Sequence, residues 1–98
     1  MADTELASVE ELLHDVEYRR AFGFANVKLD LALAVVEARR QKKMTQEELA
    51  HQSGVSQPYI AKLESGEANP TIGAIGALLA VMWLKPQIMI APLGEGKE

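Results

Sequence analysis

An all-α fold is predicted from three observations. Apolar side chains recur at helical spacing over most of the chain. Helix-opening residues stand at Ser8, Thr45, Ser56 and Thr71, and helix-stopping glycines at Gly54 and Gly66. The chain has 98 residues, enough for one modest core and too few for a second folded domain. Chains of this size are marginal alone and often dimerise.

The elements follow in order. Ser8-Val9-Glu10-Glu11 fits a capping box that opens a helix carrying Leu12, Leu13 and Val16. Asp15 is a second N-cap, so this region is either one helix or two short ones. Gly23 is expected to interrupt it, and Asn26 to cap a longer helix reaching about Lys42. In that helix Leu29, Ala32, Leu33 and Val36 share one stripe, and Leu31, Ala34, Val35 and Ala38 a neighbouring one. A stripe so wide predicts cover on more than one side. The alternation from Val27 to Leu31 would suit a strand, but the alanine content and the length favour helix.

Thr45-Gln46-Glu47-Glu48 is a second capping box, opening a short helix that carries Leu49 and Ala50 and stops at Gly54. Ser56 caps the next helix, which buries Ile60 and Leu63 and ends at Ser65-Gly66. After a loop from Glu67 to Pro70, Thr71 caps a helix with Ile72, Ile75, Leu78, Leu79 and Met82 along one side. Gly73 and Gly76 weaken that helix by roughly 1 kcal/mol each relative to alanine, which predicts the close approach of another helix. Pro86 stops helical structure. Gln87 to Ala91 reads as a short strand with Ile88 and Ile90 on one face, and Gly94 to Glu98 as a frayed tail.

Composition narrows the function. The chain is 48% apolar and 24% charged, which excludes wholesale disorder. It has no cysteine, so disulfides, thiolate metal sites and cysteine nucleophiles are excluded. His14 and His51 lack a paired ligand three or four residues away, no glycine-rich phosphate loop occurs, and no nucleophile has an evident base. The expectation is a protein that is not an enzyme and takes no metal or cofactor. The acidic N-terminus lacks the basic start of a secretory signal, and no apolar run would span a bilayer, so a cytoplasmic protein is expected.

The net charge of −4 argues against nucleic-acid binding until its distribution is considered. Residues 1–24 carry six acidic and two basic side chains, and so the whole net charge. The remainder is balanced and contains the tight cationic cluster Arg39, Arg40, Lys42 and Lys43, which either complements a helix end or meets phosphate.

After that cluster come a capped short helix, the Gly54-Val55 turn and a second capped short helix, which is helix-turn-helix spacing. Ala50 is small enough for close crossing, and Val55, Ile60 and Leu63 fill the wedge. In Arg39, Thr45-Gln46-Glu47-Glu48-Leu49-Ala50, Gly54-Val55-Ser56, Ile60, Leu63-Glu64-Ser65-Gly66 and Asn69-Pro70-Thr71 the chain resembles the lambda Cro and repressor-like XRE family. The resemblance covers about residues 29–82. It implies a five-helix lambda repressor-like DNA-binding domain, here at 25–83, whose second motif helix enters the major groove. An extra acidic helical segment at 1–24 precedes it, and a short strand and tail at 84–98 follow. It also pairs Arg39 with Glu64 structurally.

The expected DNA-binding residues are Arg40, Lys43, Gln46, Ser56, Gln57, Tyr59 and Lys62. Gln46 stands at a helix start, where its amide and nearby backbone N–H groups can meet phosphate. Ser56 caps, and its hydroxyl can also touch phosphate. Gln57 and Tyr59 are expected to face outward: glutamine suits the N6 and N7 edge of adenine, and tyrosine a thymine methyl or a phosphate. Lys62 reaches phosphate or guanine, and Arg40 and Lys43 clamp the backbone. Pro58, in the first turn, is tolerated but removes a donor.

The acidic balance makes a homodimer on a palindromic operator the simplest route to double-stranded DNA. Its surface would be either the helix from Thr71 to Met82 or the strand around Ile88. The flanks resemble those of HigA-type antitoxins of type II toxin–antitoxin modules, which implies a basic RNase-type toxin as partner and an autoregulating repressor. The alternatives are a stand-alone XRE-type regulator without a toxin and an interaction module that has lost DNA binding. Leu12, Leu13, Val16, Tyr18 and Phe22 either meet the partner or cap the domain's own core.

Overall fold

The computed structural model describes residues 8–94. Among the described residues there are five helices and no strand: α1 (Val9–Leu12), α2 (Val16–Gln41), α3 (Gln46–Ser53), α4 (Gln57–Glu64) and α5 (Ile72–Ala80). No helix among them is long and apolar enough to cross a membrane. They divide into two compact units, one of residues 8–26 with 89–94 and one of residues 27–88.

In the first unit the capping box forms as the sequence predicts. Ser8 Oγ accepts from the Glu11 N–H at 3.1 Å, and Glu11 Oε1 accepts from the Ser8 N–H at 3.1 Å. Asp15 then caps α2, its Oδ1 accepting from the N–H groups of Glu17 and Tyr18. There are thus two helices here. Arg19 donates to the Leu13 carbonyl at 2.8 Å, satisfying an acceptor that the end of α1 leaves free. The rings of Tyr18 and Phe22, one turn apart on α2, stack with centroids 5.9 Å apart. Gly94 passes so close to α1 that a Cβ there would lie 2.7 Å from Glu10 Oε1 and 3.1 Å from Leu13 Cδ1. Gly94 is therefore packed against α1. The remainder of the expected tail, 95–98, and the acidic residues of 1–7 lie outside the described residues.

The expected break at Gly23 and cap at Asn26 are both overturned, because α2 runs unbroken for 26 residues. One interior glycine costs about 1 kcal/mol, which so long a run of helix-forming neighbours absorbs. Only Ala32, Val35 and Ala38 of α2 are buried. Leu29 and Leu33 are 54% and 56% exposed, so among the described residues that stripe is covered only in part, at Ala32.

The second unit contains the core. Val35 of α2, Leu49 of α3, Ile60 and Leu63 of α4 and Leu78 of α5 are fully buried, with Ala38, Ile75, Leu79 and Met82 around them. Helices α2 to α5 contribute to this unit, so the total of five is reached only with α1. α3 packs against both α4 and α5. Residues 84–92 are not a strand, since they have no regular structure and no ladder partner stands among the described residues. Among the described residues nothing lies within 4 Å of a Cβ built at Gly73 or Gly76, so the expected close helix approach is not made by any of them.

Candidate nucleic-acid interface

The two motif helices are fixed at both ends by local chemistry. Thr45 Oγ1 accepts from the Glu48 N–H at 3.0 Å and Glu48 Oε1 from the Thr45 N–H at 2.8 Å, a full capping box on α3. Ser56 Oγ accepts from the Tyr59 N–H at 3.2 Å and opens α4. Pro58 lies in the first turn of α4, where no intrahelical partner exists for the missing N–H. Gly54 ends α3 at φ +79°, and Gly66 follows α4 at φ +85°. Both occupy the left-handed C′ position that lets a helix stop within one residue.

A hydrogen-bonded chain links three helices at the mouth of this motif. Arg39 on α2 makes a fork on Glu64 of α4, through Nε at 2.7 Å and a terminal nitrogen at 2.8 Å. Its other terminal nitrogen donates to the Met44 carbonyl at 2.8 Å. Gln46, first residue of α3, donates to Glu64 Oε1 at 2.9 Å. Gln57, first residue of α4, donates to Gln46 Oε1 at 2.8 Å. Each amide is thereby oriented: the Gln46 oxygen must face Gln57, and the Gln57 nitrogen must face back. What Gln57 retains for a ligand is its carbonyl oxygen and its second amide hydrogen, the acceptor and donor that an adenine edge requires.

The ion pair is well shielded, with side-chain exposures of 14% for Arg39 and 7% for Glu64. Burial pushes the Glu64 carboxyl up, but the hydrogen bonds from Arg39 and Gln46 and the charges of Arg39 and Arg40 outweigh it. The net result lies below the ordinary carboxylate value. The hydrogen bond to Glu64 holds the Arg39 guanidinium above its ordinary value, against the opposing effect of burial.

The sequence-predicted residues separate into two groups. Gln46 and Gln57 are brought together, with Arg40 close enough to act on Glu64. Arg40, Lys43, Ser56 and Lys62 are exposed. Tyr59 does not face outward as expected. Its half-buried ring packs on the core, and its hydroxyl donates to the Asn69 carbonyl at 2.8 Å, tying α4 to the loop before α5. Gln46 is also half-buried, with both ends of its amide engaged. The Gln46–Gln57 contact went unread in the sequence, although a glutamine directly after each N-cap, Thr45 and Ser56, was the available signal.

A glycine-turned pair of capped helices, with a polar relay at the start of the second, defines a helix-turn-helix DNA-binding unit. Residues 35–82 match a family model described as helix-turn-helix. Similar proteins include an uncharacterized HTH-type transcriptional regulator, y4dJ, of Sinorhizobium fredii, 37% identical over 57 residues, covering 58% of this chain and 74% of the relative. Another is an uncharacterized HTH-type transcriptional regulator of Haemophilus influenzae, 31% identical over 84 residues, covering 86% of this chain and 80% of the relative. No solved structure matches significantly. The chain belongs to the XRE-type helix-turn-helix family of DNA-binding transcriptional regulators.

Proposed function

We propose that the protein is a sequence-specific repressor that binds a palindromic operator as a homodimer, with α4 in the major groove. The observation that carries this reading is the Arg39–Glu64–Gln46–Gln57 relay, which presents one oriented amide at the N-terminus of α4. In this reading Gln57 reads an adenine, and Gln46 holds it while the start of α3 meets phosphate. Ser56 and Lys62 contact phosphate beside α4, and Arg40 and Lys43 clamp the backbone farther along. Tyr59 acts through the Asn69 loop it fixes.

The test begins with selection of the preferred duplex from a random library, followed by titration of single-base variants. Gln57→Ala is expected to erase the preference at one base pair, worth roughly 1–3 kcal/mol, while affinity for unrelated duplexes stays unchanged. Equal loss on every sequence overturns the base-reading role.

A second reading, an autoregulating antitoxin, is favoured by one observation, the concentration of the whole net charge in residues 1–24. Such a surface steers a basic partner such as an RNase-type toxin. Affinity capture from the native host tests it: a stoichiometric basic protein supports the antitoxin, and capture of DNA alone leaves a stand-alone regulator.

A further inference from the structure

The relay that ends at Gln57 begins on a carboxylate, and an ionised carboxylate can only accept. Glu64 Oε2 takes the Arg39 Nε–H at 2.7 Å. Glu64 Oε1 takes a terminal Arg39 N–H at 2.8 Å and a Gln46 amide N–H at 2.9 Å. Burial opposes the ionised form, but the hydrogen bonds from Arg39 and Gln46 outweigh it. Arg39 can only donate, so the pair has no second arrangement of donors and acceptors.

An amide is different. It has an acceptor at one end and two donor hydrogens at the other, and turning it over hardly changes its shape. Two amides follow Glu64 in series, and each takes the orientation its predecessor leaves. Gln46 turns its nitrogen to Glu64, which leaves its oxygen for Gln57. Gln57 turns its nitrogen back at 2.8 Å and keeps its oxygen and one hydrogen forward.

We propose that Glu64 is a positioning residue for base choice: through Gln46 it fixes which way the Gln57 amide points, and so selects adenine over guanine at one operator position. This deepens the base-reading role given to Gln57 above and rests on it. The two purines make the orientation decisive. In the major groove adenine offers an acceptor at N7 and a donor at N6, whereas guanine offers two acceptors, N7 and O6. The observed orientation puts one acceptor and one donor forward, which matches adenine. The reversed one, with the Gln57 oxygen turned back, puts two hydrogens forward, which matches guanine. Reversal requires Gln46 to turn its oxygen to position 64 and find a donor there, and the carboxylate has none. The relay is sheltered enough to enforce this. The Glu64 side chain is 7% exposed and both glutamines are half-buried, so an unmatched pair of acceptors is costly.

The experiment uses the full chain and duplexes that differ only at the base pair whose preference Gln57→Ala erases. The quantity read is the affinity for the adenine duplex divided by that for the guanine duplex. Glu64→Gln supplies a donor at position 64, admits the reversed relay, and is expected to lower this ratio at least about tenfold. Gln46→Met cuts the relay but leaves the Arg39–Glu64 fork in place, so it tests the link without touching the ion pair. It too is expected to lower the ratio. Val35→Ala removes fully buried apolar contacts outside the relay, and is expected to weaken the fold while keeping the wild-type ratio. A wild-type ratio in folded Glu64→Gln or in Gln46→Met overturns the proposal. An equal fall in Val35→Ala overturns it as well, because general loosening would then account for the effect. If Gln57→Ala erases no base preference, the base-reading role itself fails and the proposal falls with it.

Discussion

Among the described residues four helix ends place a residue in the left-handed region, and they fall into two pairs. Inside the helix-turn-helix the residues are Gly54 and Gly66; flanking it they are Lys43 after α2 and Trp83 after α5. The hydrogen-bond geometry is the same at Lys43, Gly66 and Trp83. At the first of these the Met44 N–H reaches the Arg39 carbonyl and the Lys43 N–H the Arg40 carbonyl. Only the residue differs. Glycine serves the backbone alone, whereas Lys43 and Trp83 carry strain while presenting a cation and an indole to solvent. Where chain geometry is all that matters the residue is the least strained one, and where it is not, a strained side chain stands exposed. The same contrast holds for packing. Leu49, Ile60 and Leu63 of the motif are fully buried, while α5 leaves half of an apolar helix uncovered.

The largest way to break the closed half of this comparison is through its ion pair. Arg39→Ala leaves Glu64 with only the Gln46 hydrogen bond and the charge of Arg40, and is expected to cost about 3 kcal/mol in urea unfolding. The pH dependence follows from the lowered Glu64 value. The stabilisation is fully present above the ordinary 4.5 and is lost as the pH falls below it. Glu64→Gln should flatten the acid limb of the stability profile. A wild-type midpoint that holds steady on acidification would remove the pair from the stability account.

What was legible was what is settled locally, in both halves. Ser8, Thr45, Ser56 and Thr71 cap helices as their sequence positions predict, because a cap is settled by atoms within three residues. The Arg39–Glu64 pair followed from the family resemblance. The sequence misled where the answer depends on what is far away or absent. Gly23 carries a stop signal, yet the surrounding helix outweighs it. Gln87 to Ala91 has strand-like alternation, but a strand exists only with a partner to pair with. The outward face of Tyr59 was misjudged because the Asn69 carbonyl that takes its hydroxyl lies ten residues on.

Two glycines sharpen the comparison with opposite signs. Gly54→Ala meets no atom, so its cost is backbone alone, about 1–2 kcal/mol of lost stability at φ +79°. Gly76→Ala also meets no atom, but in helical backbone, where alanine is preferred by about 1 kcal/mol. Measured by thermal melts at dilutions where the chain is monomeric, the first should fall and the second rise. Equal shifts would mean that the two halves do not differ as described.

The smallest effect tests what the strained Lys43 is for. Lys43→Gly removes the left-handed penalty of about 1 kcal/mol but adds the flexibility of glycine to the unfolded chain. A net gain of roughly 0.5 kcal/mol in urea unfolding is therefore expected. If Lys43 clamps phosphate, the same substitution weakens binding to every duplex alike and lowers the salt slope by about one ion. Stability and affinity then move in opposite directions in one variant. Lys43→Arg separates the two effects, since it retains both the strain and the charge and should change neither. A Lys43→Gly chain that gains stability and binds duplexes with the wild-type salt slope would show that the strained position has no part in holding DNA.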